Sequence, residues 1–295
     1  MAYTQNHSAQ NKWQAFLTEN SKMLGFSIQD ILEKINSYDN HTWIFFDTET
    51  MGFKAKSDQL TEIGALAVDP LSGEVLGEFD EFIKLNPPSL ARLKDPESPE
   101  RKEWEKEQSK SWKPLKHPGD VLAMTRYGGK DRKYSDEQEI LNKFEEFVEQ
   151  FPSPLLVAKN ARFDMEFVNS RKEQKLKRYP VLDTDPFIRH HAIPLLIELS
   201  QGNFEPFSRR VQIRSQSILD KLYIKPGMYS SSLGKMAPAF DIDVGDWHNA
   251  LADVKMTIEM FSSLRKLFNY AAGINVDTFR GHAKAVAYDR KRGRL

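Results

Sequence analysis

Three short stretches place acidic side chains where an apolar pattern calls for hydrophobes. In "WIFFDTET", residues 43–50, four large hydrophobes lead straight into Asp47, and Glu49 follows two residues later. Side chains alternate along a strand, so Asp47 and Glu49 share one face and Thr48 takes the other. In "LLVAKNARFDMEF", Asp164 lies between Phe163 and Phe167, just past a strand and near the start of a helix. In "DWHNALADVKMTIEMF", Asp253 sits early in a long helical pattern, with His248 five residues before it. On an ideal helix that spacing leaves two side chains about 140° apart. His248 is therefore expected on the loop entering the helix, swinging toward Asp253 from outside.

Each acid alone has an ordinary explanation. A strand can carry surface acids, and a first-turn aspartate suits the positive end of a helix dipole. Together they demand more. Four carboxylates on three separated segments repel unless cations come between them. Within "FDTET", "NARFD" and "HNALAD" the only cationic side chain is Arg162, and one arginine does not offset four acids. Oxygen ligands of this kind suit hard divalent cations such as Mg²⁺ or Mn²⁺. Two such ions about 3.5–4 Å apart activate a water and stabilise both oxygens of an in-line phosphoryl displacement. A histidine with an ordinary pKa of about 6.5 is suited to taking a proton from that water. The chemistry implied is hydrolysis of a phosphodiester.

The elements that must position these groups can be read from periodicity. Ile28, Ile31, Leu32 and Ile35 predict a helix, with Ser27 as its N-cap. "TWIFFD", "LTEIGALAVD" and "GEFDEFIKL" read as three strands with turn formers between the last two, hence an antiparallel meander. "SDEQEILNKFEEFVEQ" predicts a helix opened by a capping box of Ser135 and Gln138. "PLLVA" reads as a central strand, followed by a helix through "NARFDMEFVNSRKEQKL". "YPVLDTDPFIRHH" reads as a strand passing into a helix, and "SSSLGKMAPAF" as a short helix. Leu251, Val254, Ile258, Phe261, Leu264 and Phe268 predict a long helix from about Asn249 to Phe268. A meander followed by alternating helices and strands predicts an α/β domain with a mixed sheet.

"FDTET", "NARFD" and "HNALAD", in this order and spacing, resemble the DnaQ-like, DEDDh-type 3′–5′ exonucleases. The resemblance covers residues 41 to about 270. "VLAMTRYGG", "NARFDMEF" and the run from "SSSLGKMAPAF" to "MTIEMF" are most similar to the bacterial exonuclease I branch, which degrades single-stranded DNA from the 3′ end. The resemblance implies an RNase H-like fold, a mixed sheet with an antiparallel meander flanked by helices. It implies Asp47, Glu49, Asp164 and Asp253 as ligands of two Mg²⁺ or Mn²⁺ ions, and His248 as general base. It also implies that Glu49 and the backbone around Thr50 and Met51 meet the terminal 3′-hydroxyl, with Met51 against the last base. Asn160 matches a substrate-side asparagine, and the position before it, often histidine in relatives, is Lys159 here.

Bulk properties bound the rest. The 295 residues carry 42 basic and 42 acidic side chains, so net charge offers no sign of a nucleic-acid partner. The absence of cysteine removes disulfides, thiolate catalysis and cysteine zinc sites. No apolar run reaches the length of a membrane span or a secretory signal, so a soluble, cytoplasmic protein is expected. Residues 1–40 read as a polar leader with a short helix, 41–270 as the exonuclease domain, and 271–295 as a basic tail. Within the domain, residues 86–120 are dense in charge and proline. Trp104, Trp112 and several lysines there suit base stacking, but five interleaved glutamates favour a solvated decoration. The expected partner is the 3′ end of nucleic acid, single-stranded DNA first. The alternatives are an exoribonuclease, a proofreading subunit with a polymerase or other replication or repair partner, and a non-catalytic nucleic-acid-binding module.

Overall fold

The computed structural model describes residues 24–110, 132–171, 175–201, 209–244 and 249–272. His248, Trp112, the "VLAMTRYGG" stretch, the residues before 24 and the basic run after 272 lie outside the described residues. A six-stranded sheet runs through the middle. Its strands are β1 (Thr42–Thr50), β2 (Leu60–Val68), β3 (Val75–Ile83), β4 (Tyr134–Ser135), β5 (Pro154–Ala158) and β6 (Val181–Asp183), in the order β4-β3-β2-β1-β5-β6. β1, β2 and β3 form the antiparallel meander, while β5 runs parallel to both β1 and β6. This is the mixed sheet that the sequence predicts.

Helices cover both faces. They are α1 (Ile28–Asn36), α2 (Pro87–Lys94), α3 (Pro99–Gln108), α4 (Glu137–Glu149), α5 (Ala161–Arg171), α6 (Thr184–Phe187), α7 (Ile193–Gln201), α8 (Arg209–Leu222), α9 (Leu233–Ala239) and α10 (Ala250–Ala271). A π-helical turn, Ile188–Ala192, joins α6 to α7, and a small hairpin of β7 (Tyr223–Lys225) and β8 (Met228–Tyr229) follows α8. Among the described residues no helix is long and apolar enough to cross a membrane.

Strand alternation divides the core in two. Trp43 and Phe45 point to the face covered by α1, α7, α8, α9 and α10, where Phe261 of α10 stacks at 5.5 Å from Trp43. Ile44 and Phe46 point to the face covered by α4 and α5, where Phe144 lies 5.7 Å from Phe46. Each fully buried large side chain of this kind contributes roughly 1.5–3 kcal/mol. β1 is thus packed on both faces before its acids begin. That fixes where they point.

Of the two predicted helix caps, one forms and one does not. Ser27 Oγ accepts the N–H of Asp30 at 3.2 Å, as expected for α1. The box at Ser135 does not form: Ser135 pairs into β4, Asp136 takes the N-cap position of α4, and its side chain makes no capping bond.

Residues 86–110 are largely exposed, and within them the α2–α3 pair buries Ser89, Arg92, Ser98, Arg101 and Trp104. Their charge density conceals an amphipathic pair whose inner face is partly arginine. Hydrophobic periodicity misses such a face.

Candidate active site

Asp47 and Glu49 stand at the far end of β1, on the face covered by α10. Asp47 is paired across the sheet with Gly64, and Glu49 with Glu62. The register shifts between Glu49 and Thr50, so a bulge ends regular pairing immediately beyond the second acid. Bulges at strand ends re-aim side chains.

The glycine opposite Asp47 admits the helix that brings the third acid. A β-carbon on Gly64 would lie 2.4 Å from the backbone nitrogen of Leu251 and 2.6 Å from the carbonyl carbon of Ala250. Only a glycine lets the first turn of α10 rest directly on β2. Asn249 caps that turn, its side chain accepting the N–H of Ala252 at 3.0 Å. Asp253 then falls in the first turn, its N–H donating to the carbonyl of Asn249 at 2.9 Å. Asp47, Glu49 and Asp253 come together as a result, with one ligand oxygen from each lying within 4.8 Å of the others.

Burial and mutual repulsion dominate the electrostatics of Asp47 and Glu49 among the described residues. Burial, then Asp164, Asp253 and Glu49, hold the Asp47 carboxyl well above the usual carboxylate range. Burial, then Asp253 and Glu62, push Glu49 up to about 9. Every named neighbour of these two groups raises them. Arg162 brings no relief, because its guanidinium faces solvent and pairs with Glu166 at 2.8 Å. Three carboxylates converging through oxygen atoms, two of them costly to ionise where they stand, fit a hard divalent cation.

Asp164 reaches the site differently. It comes from α5, on the opposite sheet face, and is fully buried. Its Oδ1 accepts the N–H of Thr48 at 3.0 Å and the Thr48 hydroxyl at 2.7 Å. Burial raises it to about 7, with those two bonds pulling the other way. The structure therefore brings three of the four predicted ligands into one cluster. The fourth is locked to the residue between the first two.

The predicted substrate-side residues lie around this cluster. The Thr50 hydroxyl donates to the carbonyl of Gly52 at 2.6 Å. Met51 has no exposed surface, and its N–H donates to the carbonyl of Gln59 at 2.8 Å. A base contact by Met51 would require it to move, whereas Phe53, two residues on, is 65% exposed. Asn160 adopts a left-handed conformation, φ 63°, on the turn after β5, and its N–H donates to Asp183 Oδ1 at 3.0 Å. Lys159 pairs with Asp185 at 2.9 Å, and Asp185 also accepts the Ser231 hydroxyl at 2.8 Å.

One residue was legible and missed. Glu62 is the only acid in β2, a strand buried along its whole length, so it breaks an apolar pattern just as Asp47 does. It is 1% exposed, and its Oε1 accepts from both the N–H of Ala250 and the side-chain nitrogen of Asn249, each at 2.8 Å. Burial and Asp80 raise it to about 8, opposed by Arg132, whose guanidinium lies 3.8 Å away. Glu62 ties the start of α10 to the sheet directly beneath Glu49.

No protein-family model matches the chain. Among curated proteins it is similar to DNA polymerase III PolC-type of Streptococcus agalactiae, 27% identical over 175 residues, 58% of this chain and 10% of the relative. The same polymerase of Bacillus cereus is 24% identical over 250 residues, 82% of this chain and 13% of the relative. The chain thus spans little more than a tenth of the length of these relatives. Among solved structures, exonuclease I matches at 18% identity with a TM-score of 0.47, over 78% of this chain and 43% of that one. E. coli exonuclease I in complex with a dT13 oligonucleotide matches at 16% identity with a TM-score of 0.48, over the same shares.

Proposed function

We propose that the protein is a divalent-metal-dependent 3′–5′ exonuclease of the DnaQ-like, DEDDh type, releasing nucleoside 5′-monophosphates, with single-stranded DNA as its substrate. The observation that carries this reading is the convergence of Asp47, Glu49 and Asp253, with an oxygen of each within 4.8 Å of the others and with burial and neighbouring acids raising both Asp47 and Glu49. Asp47, Glu49 and Asp253 would hold Mg²⁺ or Mn²⁺, and Asp164 would complete the set for a second ion. Bound there, such ions supply positive charge to the phosphodiester oxygens.

The chain's own groups do the rest. The turn after Glu49, from Thr50 onward, receives the terminal 3′-hydroxyl, and Asn160 lines the substrate side. His248, immediately before the α10 cap, takes the proton of the attacking water. An imidazole ordinarily titrates in the range that suits that role near neutral pH.

The similarity to PolC-type DNA polymerases favours DNA over RNA. It also supports a second reading, proofreading alongside a polymerase. Incubation with 5′-labelled single-stranded and duplex DNA and matched RNA, with and without Mg²⁺ or Mn²⁺, tests both. The expected result is stepwise shortening of single-stranded DNA from the 3′ end, dependent on metal, with 5′-monophosphate products. Binding of a 3′ end without shortening would favour the non-catalytic module. Faster RNA shortening would favour the exoribonuclease. Preference for a mismatched 3′ end on a duplex would favour proofreading.

A further inference from the structure

The loop from Met51 to Asp58 connects the last site residues of β1 to β2, and it is gripped from two sides. On one side Arg171, two turns beyond Asp164 on α5, donates to the carbonyls of Ala55 and Asp58. On the other side stands α2. Arg92 is 7% exposed and Asp58 5% exposed, and the guanidinium donates to Asp58 Oδ1 at 2.7 Å. The second oxygen of Asp58 accepts the N–H of Lys54 at 2.9 Å. A β-carbon on Gly52 would fall 2.3 Å from that same oxygen. The carboxylate therefore lies against the backbone between Met51 and Phe53.

The next residue secures the other end of α2. Gln59 Oε1 accepts the N–H of Asn86, the N-cap of α2, at 2.9 Å, and Gln59 Nε2 donates to the carbonyl of Lys84 at 2.9 Å. The carbonyl of Gln59 meanwhile accepts the N–H of Met51. At the rim, Lys54 pairs with Glu107 of α3.

Stability alone does not account for the buried pair. Arg92 Nε and its second terminal nitrogen are buried with no hydrogen-bond partner among the described residues. A buried ion pair left partly unsatisfied is commonly no more stabilising than well-packed apolar residues of the same volume. What an apolar pair lacks is a carboxylate fixed against Gly52 and the Lys54 N–H. We propose that Arg92 and Asp58 are positioning residues, through which helices α2 and α3 set the shape of the turn that receives the 3′-terminal nucleotide. This rests on the exonuclease reading above. The helix pair need not touch substrate: it holds Gly52, Phe53 and Lys54 in the one arrangement that accepts the chain end.

The test compares the protein with Arg92→Met/Asp58→Leu, which removes the charges at similar volume, and with Arg92→Lys, which keeps both charges without the planar fork. Steady-state cleavage of a single-stranded DNA oligomer with Mn²⁺ is measured beside backbone hydrogen exchange. The double variant is expected to stay folded and to raise KM about tenfold or more, with kcat changed far less, because misplacing a substrate-receiving segment weakens binding before it touches the chemistry. Residues 51–58 should lose exchange protection while 60–68 keep theirs, and Arg92→Lys should fall between the two proteins in both measurements. A folded double variant with unchanged KM and unchanged exchange overturns the proposal, as does a fall in kcat at constant KM. If the double variant does not fold, Arg92→Lys decides by the same two readouts. If the unmodified protein shows no cleavage, the exonuclease reading fails by itself, and the exchange pattern alone judges the brace.

Discussion

Asp164 Oδ1 accepts both the backbone N–H and the hydroxyl of Thr48, at 3.0 and 2.7 Å. The reason lies in the sheet. β5 pairs with β1 only as far as Phe45 opposite Val157, so beyond that point β1 has lost its parallel neighbour. Buried backbone donors need partners, and a carboxylate from α5 supplies one. The same bond places a fourth acid beside Asp47, through the strand rather than across the cluster.

Thr48→Val keeps the backbone bond and removes the hydroxyl. Asp164 then loses one of the two contacts with Thr48 that favour its ionised form, so its pKa should rise further above about 7. A buried acceptor losing a donor costs roughly 1–3 kcal/mol. Denaturant unfolding should show a loss of that size, and the metal needed for half-maximal cleavage should increase.

Asp47→Ala and Asp253→Ala should each abolish metal-dependent hydrolysis with the fold retained. Asp253→Ala also removes a charge that raises both Glu49 and Asp47, and Asp47→Ala removes a carboxyl that burial itself holds well above its usual range. In chelator, both variants should therefore melt no lower than the parent at alkaline pH. Parent-like turnover by either one, with metal in excess, would refute the ligand assignment.

Metal-free stability should fall as pH rises. Glu49 at about 9, Glu62 at about 8 and Asp164 at about 7 all lie above the unfolded carboxylate range near 4. Between about pH 4 and 9 the folded chain thus holds more protons than the unfolded one, and stability decreases with pH across that window. Thermal midpoints in chelator at pH 5.5 and 8.5 check the sign. Added Mg²⁺ or Mn²⁺ should raise the midpoint most at the higher pH, where fewer protons need displacing.

Gly64→Ala would set a β-carbon 2.4 Å from the Leu251 nitrogen, so the start of α10 must shift. Overpacking of this kind typically costs about 1–3 kcal/mol. Because Asp253 rides on that first turn, metal affinity should drop more than stability does. Isothermal titration with Mn²⁺ beside thermal unfolding separates the two effects.

His248→Ala should lose most hydrolysis and keep metal binding. With the histidine present, the rate should rise through the pH range in which an imidazole deprotonates. A rate flat from about pH 5 to 8 would remove His248 from the role of base.

Much of the frame was readable in advance because it depends on local regularity. Period-two and period-3.6 patterns gave the meander, "PLLVA" as β5 and the long helix, expected to end at Phe268 and running on to Ala271. The alternation in "WIFFDTET" placed Asp47 and Glu49 on one face. Ser135 failed as a cap because β3 offered it a strand partner, and α2 and α3 could not be read from periodicity because their buried face contains arginine rather than leucine.

The residue types and order in the sequence determined by themselves that three acidic motifs interrupt apolar elements, and therefore that oxygen-rich, cation-requiring chemistry was to be expected. Only the tertiary structure decided which acids meet. Asp253 joins Asp47 and Glu49 because a glycine on a different strand leaves room for its helix, while Asp164 turns to Thr48 because a neighbouring strand stops short. The first cause is steric and the second is a backbone donor left without a strand partner, and both join residues far apart in sequence, so no local pattern carries them. The buried bonds of Glu62 to α10 and of Asp58 to α2 are of the same kind, each joining residues that only the folded sheet makes neighbours.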